Sequence, residues 1–172
     1  MVHPLDSFMA TDPIFVDANV FLFHAFGDAV KGLASKRFLE RIEQGAVRAV
    51  TSALVLNEVL FKIAQQEAAK HLPKVTIWNI KAALKNDPAF REAIYNPVMT
   101  YRSYLEELRQ RGLTSVEVTT EHTLRAIDVG RQHGLLITDA THVAVMQAQG
   151  IIHVATADED LWSIPGITAW TP

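Results

Sequence analysis

Cysteine is missing from all 172 residues, which rules out disulfides and thiolate metal sites and makes a reducing cytoplasm the compatible compartment. No apolar run approaches the roughly 20 residues that span a bilayer, so no membrane segment is expected. The opening MVHPLDSFMATDP has acids and proline where a secretory signal needs an apolar core. Neither sign of charge dominates: 16 Lys and Arg stand against 19 Asp and Glu, a balance that neither points to nucleic acid nor excludes it, because net charge hides local patches. Repeats, low-complexity tracts and linkers are also lacking. What is present, 49% hydrophobic and 20% charged residues, is the composition of a folded soluble protein, and the length suits one domain over residues 1–172.

Residues 1–12 read as a frayed lead-in, with Met9 as an alternative start. Ile14-Phe15-Val16 is a short, wholly apolar run ending at Asp17, the pattern of a buried central strand. Asp17 and Asn19 offer caps to a helix that Gly27 breaks. A second helix is expected over Val30–Gln44, with Leu33, Phe38 and Ile42 inward and Gly45 as its stop. Val47–Thr51 reads as the second strand, and Ser52 caps a helix from Ala53 to about Lys70 that carries Glu58. Residues 71–97 are the least patterned. Pro73, Pro88 and Pro97 are expected to separate short helices over Val75–Lys85 and Ala89–Tyr95 from a longer one over Val98–Arg111. Strand Ser115–Val118 follows, then helix Thr120–His133, a helix entered at Thr138-Asp139 and closed by Gly150, strand Ile151–Ala155, and a last strand Ile167–Trp170. Strands alternating with helices predict an α/β fold with a parallel sheet and helices on both faces.

Four acids occupy related places in this layout: Asp17 after the first strand, Glu58 in the helix after the second, Asp139 at a helix start and Asp158 after the fourth strand. Singly, each has a structural account. Asp17 and Asp139 suit helix N-termini, Glu58 has Lys62 four residues on as an exposed partner, and Asp158 and Asp160 suit a turn. Jointly they say more. The first and fourth strands, short and apolar, are the natural centre of the sheet, and both deliver an Asp at the carboxyl end, where open α/β sheets bind ligands. Clustered carboxylates repel unless a cation neutralises them. An all-oxygen donor set favours a hard ion, Mg2+ or Mn2+, and such ions activate water and stabilise charge on phosphate.

The segments FVDANVFL around Asp17, TSALVLNEVL around Glu58, ITDATHVAVM around Asp139, and Thr156-Ala157-Asp158-Glu159-Asp160 after an apolar strand resemble, in that order, the PIN-domain ribonucleases, and within them the VapC-type toxins. The resemblance covers roughly residues 13–65 and 113–171. It implies a PIN-like three-layer sandwich with strand order 3-2-1-4-5 and a Mg2+ or Mn2+ site in which Asp17, Glu58 and Asp139 are the principal acids and Asp158 the fourth. Asn19, Ser52, Thr156 and Asp160 match supporting polar positions. It further implies an endoribonuclease working by in-line attack of water, a homodimer, and a small antitoxin that inserts a segment into the acidic cleft. Two departures stand out. Leu161-Trp162 replaces the Phe that usually closes the last motif, and residues 66–112 form a longer helical insert suited to a clip over the cleft, a dimer surface or an antitoxin-docking surface.

Rival readings remain open. A housekeeping RNA-processing nuclease would use the same acids without an antitoxin, and a non-catalytic PIN scaffold would serve only for binding. An aspartyl phosphatase is disfavoured, because Asp17-Ala18-Asn19 lacks the second Asp that chemistry wants. His142, three residues after Asp139, reads better as a packing or capping histidine than as a ligand, since no second histidine stands in register. An RNA substrate needs cations around the acids. Lys31, Lys36, Arg37 and Arg41 lie on one helix, and Lys62, Lys70, Lys74, Lys81 and Lys85 run on into the insert. Trp78, Tyr95, Tyr101 and Tyr104 could stack on bases, although packing is the better default for each.

Overall fold

Among the described residues, six short strands pair in parallel. The computed structural model describes residues 2–172, with β1 (Val2–Pro4), β2 (Ile14–Val16), β3 (Ala49–Ser52), β4 (Leu113–Val116), β5 (His153–Ala155) and β6 (Thr168–Thr171) in the order β1-β6-β5-β2-β3-β4. Every pairing is parallel. Setting β1 aside, this is the expected 3-2-1-4-5 order. The two central strands, β2 and β5, are the ones whose apolar character placed them there; Ile14, Phe15 and Val16 are all completely buried.

Seven helices connect the strands: α1 (Ala18–Phe26), α2 (Gly32–Glu43), α3 (Ala53–His71), α4 (Ile77–Asn86), α5 (Pro88–Arg111), α6 (Thr120–His133) and α7 (Ile137–Ala148). They fall into two groups flanking the sheet, with α6 against α7 on the one hand and α1, α2, α3 and α5 packed together on the other. The caps follow the sequence: Asp17 for α1, Ser52 for α3, and Thr119 with His122 as a reciprocal capping box for α6. Gly112 ends α5 where a Cβ would stand 2.6 Å from the Ile42 carbonyl oxygen, so the close approach of β4 to α2 requires glycine. Among the described residues no helix is long and apolar enough to cross a membrane.

Four expectations need correction. Residues 2–8 are not a frayed lead-in, since β1 pairs with β6 and Leu5 and Phe8 are core residues. The segment is held by Arg41, which donates to the Phe8 carbonyl, by an Arg37–Asp6 ion pair at 3.7 Å, and by Phe8 packing edge-on to Trp170 at 5.0 Å between centroids. Leu33 is not inward: it is 59% exposed, while Phe38, Leu39 and Ile42 make the buried stripe of α2. Pro97 does not end a helix but lies inside α5. The buried stripe Ile94, Tyr101, Leu105 and Leu108 runs straight through it, so packing on both sides outweighs the one backbone bond that proline removes. Strand limits also move: β3 and β4 begin at Ala49 and Leu113, and β5 at His153, not Ile151.

The insert carries a small core of its own. Ala68, Ile80, Phe90 and Ile94 form a cluster separate from the main one, with Ala64, Leu72, Val75, Ala83 and Leu84 packed around it. The end of α3, α4 and the start of α5 therefore lean on one another rather than on the sheet.

Candidate active site at the carboxyl edge of the central strands

β2 and β5 end side by side, and their next residues meet. The Asp17 N–H donates to the Ala155 carbonyl at 3.1 Å, extending the β2–β5 ladder by one residue. The Asp17 side chain turns inward at 7% exposure. Its Oδ1 accepts from the Ala18 N–H at 2.7 Å, and its Oδ2 accepts from the Thr156 hydroxyl at 2.7 Å and from the Asn19 amide. The fully buried Thr156 Oγ1 in turn accepts from Asn19 Nδ2 and from the Asp158 N–H, each at 2.9 Å. Asn19 Oδ1 accepts from the Ala157 N–H at 3.0 Å. Asp17, Asn19, Thr156 and the backbone of Ala157 and Asp158 thus form one closed network between the two strand ends. Burial raises the Asp17 carboxyl above the ordinary aspartate value, against the pull of His142, Thr156 and the Ala18 N–H.

Glu58 and Asp139 approach from α3 and α7. Glu58 lies on the second turn of a helix started by Ser52, whose hydroxyl accepts from the Val55 N–H at 3.2 Å. The His142 imidazole, with Nε2 3.9 Å from Glu58 Oε2, and the charge of Lys62 hold the Glu58 carboxyl below its ordinary value despite partial burial. Asp139 sits in the first turn of α7, which begins at Ile137 with Leu136 before it, so neither Thr138 nor Asp139 is the cap. Burial raises the Asp139 carboxyl, and repulsion from Asp158, Asp17 and Glu58 raises it further, with His142 opposing. Four acids from four separate segments therefore share one electrostatic neighbourhood.

The other sequence candidates divide. Asn19 and Thr156 belong to the network itself. Ser52 acts as the cap of α3, and Asp160 contributes its N–H to Asp158 Oδ1 at 3.0 Å while its own side chain faces solvent. Leu161, the aliphatic substitute for the closing Phe, is buried. His142, expected as a packing or capping histidine, is 2% exposed and packs with its Nε2 3.9 Å from Glu58 of another helix. Thr51 was not singled out; its buried hydroxyl donates to the Val16 carbonyl at 2.9 Å and ties β3 to β2 next to Asp17. No pattern in the sequence marks Thr51; the i+3 spacing from Asp139 was the available sign for His142.

The cations are less free than their number suggests. Arg37 and Arg41 hold the N-terminal segment, Lys36 pairs with Glu40 at 3.9 Å, and Lys70 pairs with Glu67 at 2.6 Å. Lys62, one turn after Glu58, is the lysine whose charge reaches the acids. Tyr101 is a core residue, its hydroxyl donating to the Phe21 carbonyl at 2.8 Å, whereas Trp78 and Tyr95 are exposed.

The acids offer a hard divalent cation oxygen donors and the negative charge it would neutralise. Among the described residues, however, no three His, Asp or Glu side chains stand in a preset coordination geometry. The donor set fits such an ion in kind, with Asp17 already tied by hydrogen bonds at both oxygens.

No curated protein sequence matches the chain. Among solved structures it is similar to a toxin–antitoxin complex from Klebsiella pneumoniae, at 17% identity over 90% of this chain and 94% of that one with a TM-score of 0.55. A VapBC complex from Rickettsia felis bound to a promoter DNA fragment shares 13% identity over 93% and 98% of the two chains, TM-score 0.55. A VapC toxin of Mycobacterium tuberculosis, described as cleaving the sarcin–ricin loop, shares 18% over 86% and 91%, TM-score 0.51. At such identities the likeness speaks for the fold. The family model of the PIN domain matches residues 14–166, a span that runs from the first residue of β2 past Asp158, and on that match the chain belongs to the PIN-domain family.

Proposed function

We propose that this PIN-domain protein is a Mg2+- or Mn2+-dependent endoribonuclease acting as the toxin of a two-component toxin–antitoxin pair. What supports the reading is that Asp17, Glu58, Asp139 and Asp158 come from four segments near the carboxyl edge of β2 and β5, with the Asp139 carboxyl raised by burial and further by its three companions. Unneutralised, that arrangement costs stability. It is what a protein retains when the charge is needed for a cation.

In this reading Asp17, Glu58, Asp139 and Asp158 hold the ion, which supplies Lewis-acid stabilisation of charge on the phosphate and activation of water. Thr156 and Asn19 aim Asp17 by hydrogen bonds to its Oδ2, and the Thr156 hydroxyl favours its ionised form against the effect of burial. Asp160 orients Asp158 through its N–H, and Ser52 fixes the start of the helix that presents Glu58. Lys62 offsets the repulsion between the acids and an RNA backbone. An antitoxin would close the same acidic edge, in keeping with the toxin–antitoxin complexes among the structural neighbours, and the chain would work as a homodimer in the cytoplasm. Residues 1–172 then act as one PIN domain with the 66–112 insert appended.

The test is incubation of total cellular RNA with the purified protein in Mn2+, Mg2+ or EDTA, beside Asp17→Asn, which keeps shape and removes one charge. Fragments that need the metal and disappear in the variant are expected. Wild type and variant that are equally inert, or equally active in EDTA, would refute the four-acid site.

A further inference from the structure

His142 lies one turn beyond Asp139 on α7 and packs against Phe15 of β2, ring centroids 5.8 Å apart. Both of its ring nitrogens are fully buried, and neither has a hydrogen-bond partner among the protein's own atoms. Packing alone does not account for it, because an aliphatic side chain would fill the space without stranding a donor and an acceptor. The polar group beside it is the Glu58 carboxylate, 3.9 Å from Nε2. That separation is too long for a hydrogen bond, yet less than a one-ångström movement of a half-exposed side chain would make one.

The neighbouring acids show what this contact would supply. Asp17 accepts hydrogen bonds from Ala18, Asn19 and Thr156, and Asp158 accepts one from the Asp160 N–H. No comparable bond tethers Glu58 among the described residues; Lys62 acts on its carboxylate through charge, and the buried His142 imidazole is the ring that stands 3.9 Å from it.

We propose that His142 is a positioning residue, whose Nε2–H takes the Glu58 carboxylate as acceptor and fixes its aim when that carboxylate turns into the site. The inference rests on the reading of the four acids as a divalent-ion site. It gives an unpartnered core imidazole a task that neither the helix nor the sheet requires of it.

The experiment is a double-mutant cycle in the full-length protein, reading Mn2+ affinity by calorimetry alongside thermal melting. His142→Leu is expected to melt no lower than wild type, because a stranded polar group is removed, and yet to bind Mn2+ on the order of 10–100-fold more weakly. His142→Gln, which keeps a donor of similar reach, should recover most of that loss. His142→Asn, polar but too short to bridge, should not, and it carries the comparison if the Leu variant does not fold. In a Glu58→Ala background, replacing His142 should cost nothing further. Unchanged affinity in a folded His142→Leu or His142→Asn, or equal losses with and without Glu58, would overturn the proposal; the second result would make His142 a ligand in its own right. A wild-type protein that takes up no Mn2+ overturns the metal-site reading and this inference with it. Uptake without coupling between His142 and Glu58 overturns this inference alone.

Discussion

Thr156→Val isolates the hydroxyl on which the strand-end network turns. Valine keeps the β-branched shape of threonine at this fully buried position and removes its hydroxyl. Three hydrogen bonds disappear: the one donated to Asp17 Oδ2 at 2.7 Å and those accepted from Asn19 Nδ2 and the Asp158 N–H at 2.9 Å. The first goes to a carboxylate and is worth about 1.5–3 kcal/mol, with up to about 1 kcal/mol for each donor left behind at part-buried positions. Asn19 keeps its bond to Asp17, which limits the total to roughly 2–4 kcal/mol, or about 5–15 °C in Tm at this chain length. The loss has a sign in pH. Thr156 favours ionised Asp17, whose folded pKa is raised above 3.8 by burial. Its contribution is therefore fullest above that raised value and shrinks as the pH falls through it. Thermal melts at pH 7.5 and at progressively lower pH measure both quantities. A Tm within about 2 °C of wild type at pH 7.5, or a deficit that does not narrow on acidification, would refute the claim that this hydroxyl holds Asp17 in its ionised form.

Asp139→Asn is expected to raise the metal-free Tm at pH 7.5 while reducing the further rise that Mn2+ gives. Burial and repulsion raise the Asp139 carboxyl, so its ionisation penalty is absent below 3.8, the ordinary aspartate value, and present in full above the raised one; solvent screening at this partly exposed group holds the gain to roughly 0.5–1 kcal/mol. A lower Tm in the variant would show that Asp139 is held by attraction rather than repulsion. Phe8→Ala, at a completely buried position, should cost about 3–5 kcal/mol in denaturant unfolding; a cost under about 1 kcal/mol would mean that the N-terminal segment is the dispensable lead-in its sequence suggests.

The parts of the fold that were legible share one property: their signal is local. Ile14-Phe15-Val16 reads as a central strand because nothing polar interrupts it, and Thr120–His133 is bounded as expected, with Gly134 closing it. The misread parts depend on partners far along the chain. Val2–Pro4 is three residues long and contains proline, so no periodicity betrays a strand; Trp170 and the arginines of α2 make it one. Pro97 is a breaker by its own chemistry and is overruled by the stripe from Ile94 to Leu108 on either side of it.

The candidate site divides along the same line. Asp17, Asp139 and Asp158 stand out as candidates because each follows a recognisable local feature, the end of an apolar strand or the opening of a helix, whereas Glu58 stands out only through the resemblance around TSALVLNEVL. The groups around them act between elements: Asn19 and Thr156 stand out as site residues only through the resemblance, and His142 reads from its own helix as a packing residue. Thr156 reaches Asp17 across 139 positions of sequence, and His142 on α7 meets Glu58 on α3. Judged on its own helix, a histidine without a second histidine in register looks structural. Judged in three dimensions, the carboxylate that stands 3.9 Å from its Nε2 is on another helix, and the proximity that matters is between helices. Reading a residue's role from the company it keeps in sequence therefore fails first for groups whose task is to hold another side chain still.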